Sequence, residues 1–120
     1  MYSPQLLDHF QNPRHAGDLA DADAVVESEN PVCGDVIRLS LKVADGRIAN
    51  VAFKAKGCVP AMACGSAIAE LAFGKTLCEA RGLSRHDVVD CVGGLPQASS
   101  HAAQLALDAL SAALAKLPPC

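Results

Sequence analysis

A chain of 120 residues with a formal charge of −3 has room for one modest hydrophobic core, which predicts a single domain over residues 1–120. Apolar residues make up 51% of it, yet there is no Trp and only three Phe and one Tyr, so burial falls to Val, Leu, Ile and many alanines. The Lys and Arg residues form no basic cluster, which argues against a nucleic-acid partner, and no apolar run reaches the roughly 20 residues of a membrane-spanning helix.

Met1 to Ala20 carries Asp8, His9, Pro13, Arg14 and His15 in place of an apolar stretch, so no secretory signal is predicted and a cytoplasmic location is expected. Within it "SPQLLDHF" reads as a short helix, with Ser3 as N-cap, Pro4 at the first helical position and Leu6, Leu7 and Phe10 as the apolar side. "NPR" ends it. Residues 16–32 predict a loop and one weak strand around "AVVES". From Val36, the residues Ile37, Leu39, Leu41 and Val43 alternate with Arg38, Ser40 and Lys42. After the "DG" turn at 45 and 46, Ala49, Val51, Phe53 and Ala55 alternate again, giving a hairpin with one buried face.

"AMACGSAIAELAFG" reads as a helix ended by Gly74, and a further short helix is expected around "TLCEARG". "SRHDVVDCV" predicts another, capped by Ser84 and stopped by Gly93 and Gly94. The last helix starts at Ser100, recurs in Ala103, Leu107, Leu110, Leu114 and Leu117, and stops at Pro118 and Pro119. Strands followed by helices predict an α+β fold, with helices packed on one face of a small antiparallel sheet of about three strands.

The chemistry falls at element ends. Side chains two apart in a strand share a face, so Cys33 and Asp35 in "NPVCGD" can reach one small object. Cys58 stands where the hairpin ends, and His101 near the start of the final helix. Thiolate, imidazole and carboxylate in such places suit Zn²⁺ or an iron-sulfur centre. The spacing is not a CxxC pair, so buried cysteines with a solvated histidine is the plainer reading of these residues taken alone. Asp35 equally suits a turn, and His101 a helix start. The six cysteines (33, 58, 64, 78, 91 and 120) suit thiol chemistry or core filling in a reducing compartment better than disulfides. His9 and His15 read as structural or partner-facing residues, and His86 as a solvated one.

The order of motifs adds a resemblance. "YSPQLLDHFQNPRHAG" resembles the start of the IscU/NifU N-terminal family of iron-sulfur cluster scaffolds, and "NPVCGD" its first ligand motif. "FKAKGC" is similar to the strand leading to the family's second ligand cysteine, "GKTLCEA" to the segment after it, and "HAAQLALDALSAAL" to the closing helix. The resemblance covers nearly the whole chain. It implies an α+β domain that assembles a [2Fe-2S] cluster on Cys33, Asp35, Cys58 and His101 and passes it on without turning over a substrate, so the chain is not read as an enzyme. The implied partners are a cysteine desulfurase, delivering sulfur to Cys58, and apo iron-sulfur acceptor proteins. Asp35, a harder ligand than thiolate, would ease release of the iron.

One departure stands out. Where the family's third ligand cysteine follows the histidine, this chain has Ala102. Cys64 is the first candidate replacement, because "ACGSAIAE" echoes the "GCGSAIAS" of some members, although the ungapped spacing from Cys58 to Gly74 and Lys75 matches Cys58 to the family position. Cys91 is the second candidate, while Cys78 reads as core and Cys120 as tail. The "LPPVK" segment by which some scaffolds engage a DnaK-type chaperone survives only as Leu95 and Pro96, so the resemblance does not extend to that partner. Two alternatives stay open: a SufU-like zinc-containing sulfur-transfer protein, suited by two thiolates, a carboxylate and an imidazole, and a non-assembling modulator of a cysteine desulfurase.

Overall fold

In the computed structural model, which describes residues 2–119, the first helix starts at its expected cap. The Ser3 hydroxyl accepts the Leu6 N–H at 2.9 Å at the head of α1 (Pro4–Gln11) and donates to the Val92 carbonyl, fastening the helix start to a distant segment. The inward face differs from the expected one. Leu6 and His9 are buried and Phe10 half-buried, but Leu7 is exposed. Leu7 lies about 100° around the helix from Leu6, off the narrow side that meets the core.

Three strands, β1 (Ala24–Glu29), β2 (Val36–Ala44) and β3 (Arg47–Lys56), form an antiparallel sheet in that order. Asp45 and Gly46 both take positive φ, 54° and 74°, as a two-residue hairpin turn whose twist matches the strands requires. Leu39 faces Phe53 and Val26, and Leu41 faces Val51 and Ala24, so these rows put one apolar face towards the helices. The expected alternation in β3 fails at one point. A register shift at Lys42 and Val43 pairs Val43 with Ile48 and Lys42 with Asn50, leaving Ala49 exposed and burying Ile48 in its place. The opposite face carries Arg38, Lys42 and Lys54, which pair with acids of the preceding loop: Lys54 reaches Asp18 at 2.8 Å and Arg38 reaches it at 3.3 Å.

The outer edge of β3 is occupied by segments that are not strands themselves. The Phe53 N–H donates to the His15 carbonyl and the Gly17 N–H to the Phe53 carbonyl. Further along, the Ile48 N–H donates to the Lys75 carbonyl and the Gly74 N–H to the Ile48 carbonyl.

Four helices follow: α2 (Val59–Ala72), α3 (Leu77–Arg81), α4 (Arg85–Cys91) and α5 (His101–Ala115). α2 is apolar almost all round and is buried along most of its length, packed against the sheet, α1, α4 and α5. Thr76 with Glu79, and Ser84 with Asp87, form reciprocal capping boxes at α3 and α4. A 3₁₀ turn (Gln97–Ser99) leads into α5, which buries Ala102, Leu105, Ala106 and Ala109 besides the expected Ala103, Leu110 and Leu114. Short alanines on α5 widen the buried stripe beyond the leucines. Among the described residues, no helix is long and apolar enough to cross a membrane.

Candidate functional site

The loop before β2 folds back on itself. Asn30 accepts the Val32 N–H on its side-chain oxygen and the Gly34 N–H, at 2.7 Å, on its carbonyl, while its own N–H donates to the Asp35 carbonyl. This winding leaves Cys33 exposed and turns Asp35 inward, where it is only 5% exposed. At the other end of the hairpin, Gly57 turns the chain from β3 into α2 with φ 143°, and Cys58 becomes the N-cap of that helix. A Cβ at Gly57 would be driven into the Asp35 carboxyl group, so the closeness of the two loops depends on glycine there.

Asp35 is the hub. Its Oδ1 accepts the Cys58 N–H at 3.3 Å and its Oδ2 accepts the Cys58 thiol at 3.0 Å. His101, the first residue of α5, brings Nε2 to 3.8 Å from Oδ2. Cys33, Asp35 and His101 offer donor atoms within 4.8 Å of one another, and Cys58 joins them through the carboxylate. The hydrogen bond from Cys58 is the first cause that lowers the Asp35 pKa, with bonds from Cys33 and the Cys58 amide and the nearby His101 adding to it. The Cys58 thiol, although the residue is exposed, is pushed up, first by the loss of solvent around its partly covered sulfur and then by Asp35. Without a cation the pair therefore rests as thiol and carboxylate. The four donors are two soft thiolates, a borderline imidazole and one hard carboxylate, a set that could hold iron, zinc or a small cluster.

The other cysteines lie elsewhere. Cys64, expected as the replacement ligand, is completely buried in the apolar core on α2, and burial pushes its thiol up to about 12. A thiol so placed stays protonated and closed to an incoming ion. Ala102 is likewise fully buried, its methyl group packed in the same core. Cys91 is outside the Asp35 set, its sulfur 3.6 Å from His9 Nε2. Cys78, expected in the core, is exposed on α3, because that single short turn buries only Leu77 and Ala80; it is disulfide-bonded, against the expectation of thiols for all six cysteines. Cys120 lies outside the described residues. His86 is exposed and pairs with Asp90 at 3.1 Å, and His15 packs its ring on Phe73 at 4.8 Å. The gathering of His9, Glu70 and Cys91 has no signal in the sequence, since the three residues belong to three different helices.

The family model described as NifU-like N terminal domain matches residues 1–119. A protein of Archaeoglobus fulgidus named iron-sulfur cluster assembly scaffold protein IscU 1 is 46% identical over 114 residues, covering 95% of this chain and 74% of that one. The iron-sulfur cluster assembly scaffold protein IscU of Escherichia coli K12 is 39% identical over 118 residues, covering 95% of this chain and 91% of that one. Among solved structures, the N-terminal part of a nitrogen-fixing NifU-like protein from Brucella abortus matches with a TM-score of 0.78 over 96% of this chain and 92% of that one. At 22% identity that likeness speaks for the fold, an α+β domain with a three-stranded antiparallel sheet. From its first helix to its last, the chain belongs to the NifU-like N-terminal domain family.

Proposed function

We propose that this protein is a scaffold on which [2Fe-2S] clusters are assembled, with sulfur from a cysteine desulfurase, and from which they pass to apo iron-sulfur proteins. The observation that carries the reading is the convergence of Cys33, Cys58 and His101 on the Asp35 carboxylate at an accessible rim, in a chain whose relatives bear the scaffold name.

The resting site holds a proton on Cys58, shared with Asp35. Iron(II) entering beside Cys33, Asp35 and His101 brings positive charge next to that thiol, lowers its pKa and frees the thiolate. The thiolate then attacks the terminal sulfur of the desulfurase persulfide, and the desulfurase cysteine leaves as a thiolate. Sulfane sulfur must gain electrons to become bridging sulfide, so a reductant takes part. Asp35 supports release, because a carboxylate holds a sulfide-bridged iron less firmly than a thiolate does. With Ala102 next to His101, the set contains two sulfurs, and the cargo is correspondingly easy to move.

The test is anaerobic reconstitution with iron(II), cysteine, a cysteine desulfurase and a dithiol reductant, followed by iron and acid-labile sulfide per chain and an absorption spectrum. Equal iron and sulfide with visible charge-transfer bands, lost in Cys33→Ala/Cys58→Ala, is the expected outcome. Tightly held zinc without sulfide would overturn cluster assembly and favour the zinc-dependent sulfur-transfer reading.

A further inference from the structure

A second group of ligating side chains lies where α1, α2 and α4 meet, separate from the Asp35 site. His9 from α1, Glu70 from α2 and Cys91 from α4 offer donor atoms all within 4.8 Å of one another. His9 Nε2 is 3.2 Å from Glu70 Oε2 and 3.6 Å from Cys91 Sγ. Bonds of about 2.0–2.3 Å to a tetrahedral ion separate its ligands by roughly 3.3–3.7 Å, so the two distances from His9 need change little for an ion to sit among the three donors.

The histidine is held as a ligand would be. It is 4% exposed, and its Nδ1 lies 2.8 Å from the Ser66 hydroxyl, which also accepts the Arg14 backbone N–H at 2.9 Å. A hydroxyl oxygen fixed in this way can accept an Nδ1–H, which leaves the Nε2 lone pair aimed at the glutamate and the thiol. Metal-bound histidines commonly have their far nitrogen anchored by such a partner. Burial lowers the His9 pKa, so the ring is neutral and able to ligate at neutral pH. Arg14, whose charge acts on both His9 and Cys91, is engaged by Asp8 at 2.6 Å. Glu70 keeps a side chain 47% exposed, which gives an ion a route in from solvent.

We infer that His9, Glu70 and Cys91 form a second metal site that takes Zn²⁺, with water in the fourth position. One nitrogen, one sulfur and one oxygen select a borderline cation over Mg²⁺ or Ca²⁺, which want oxygen alone. Binding replaces the Cys91 S–H bond with an S–Zn bond and releases one proton to solvent; the carboxylate and thiolate then balance the charge of the ion. Since the ligands come from three helices, the ion ties the N-terminal helix to α2 and α4.

The test uses Co²⁺ as a spectroscopic stand-in and Zn²⁺ as its competitor, on the full chain carrying Cys33→Ala/Cys58→Ala so that no thiol remains in the Asp35 site. One Co²⁺ per chain with a thiolate-to-cobalt charge-transfer band, displaced by Zn²⁺ and abolished by adding Cys91→Ala, is the expected result. Glu70→Gln, on the solvent side and equal in volume, guards against misfolding of the Cys91 variant and weakens cobalt binding by at least about tenfold, the smallest cost usual even for a partner that only supports a ligand. Absence of the band in Cys33→Ala/Cys58→Ala, its survival in the Cys91 variant, or unchanged affinity in Glu70→Gln would each overturn the site.

Discussion

The Cys58 thiol donates to Asp35 at 3.0 Å while the Cys58 amide donates to the other oxygen of the same carboxylate. One aspartate thus holds both the backbone and the sulfur of the residue that caps α2, and the reactivity of that sulfur is tied to the charge of the carboxylate.

Asp35→Asn removes the charge and keeps the shape. The Cys58 pKa, raised by burial and by Asp35, falls, so the pH profile for alkylation by iodoacetamide, followed at Cys58 by mass spectrometry, moves to lower pH. An unchanged profile would remove Asp35 from control of the thiol.

Gly57→Ala strains a backbone at φ 143° and pushes a methyl group into Asp35. A loss of about 1–3 kcal/mol in urea denaturation is expected, together with faster alkylation of Cys58 as its hydrogen bond breaks. Wild-type stability with wild-type alkylation would show that the two loops need not meet as closely as they do.

Cys64→Ala empties a small volume in the core and leaves the Asp35 donor set unchanged. Stability falls by roughly 1–2 kcal/mol, and the iron and sulfide recovered after reconstitution stay at the wild-type level. Loss of both with the fold intact would return Cys64 to the ligand set.

The capping boxes predict an acid dependence. Glu79 and Asp87 have their carboxyl pKa values lowered, first by the backbone N–H groups of Thr76 and Ser84 that they accept. A lowered folded-state pKa means stability that is present above the ordinary carboxylate range and lost as the pH falls through it. Ser84→Ala, which removes half of one box, costs about 1 kcal/mol near neutrality, and its melting temperature depends less on pH below about 4 than that of the wild type. Parallel melting curves across that range would remove the α4 box as a contributor.

Much of this was legible before any coordinates. Ser3, Pro4 and Ser84 mark helix starts by chemistry that acts within a few residues, and the Asp45–Gly46 turn with its flanking alternation fixes a hairpin. The Cys33–Asp35 spacing points to one shared object, and the structure brings both near His101, but through the turn before β2 and not along a strand: Cys33 stays exposed while Asp35 turns inward. What escaped depends on long-range geometry. The extra residue in β3 that hides Ile48 and exposes Ala49 leaves no trace in a pattern of period two. Whether Cys64 or Cys91 faces solvent or core is decided by how α1, α2 and α4 cross, and no local spacing encodes that. His9 has no place in the expected core, although it stands three residues from Leu6 on the inward side of α1 and is among the most buried of the described polar residues.

A strand with a bare edge is a template on which a second copy can dock and propagate a fibril. Here the backbone groups of Phe53 and Ile48 that point away from β2 already have partners in His15, Gly17, Gly74 and Lys75. Resistance to aggregation through this edge therefore rests on two short loop segments, and loosening either one, without touching the sheet, would expose a growth surface in an otherwise folded chain.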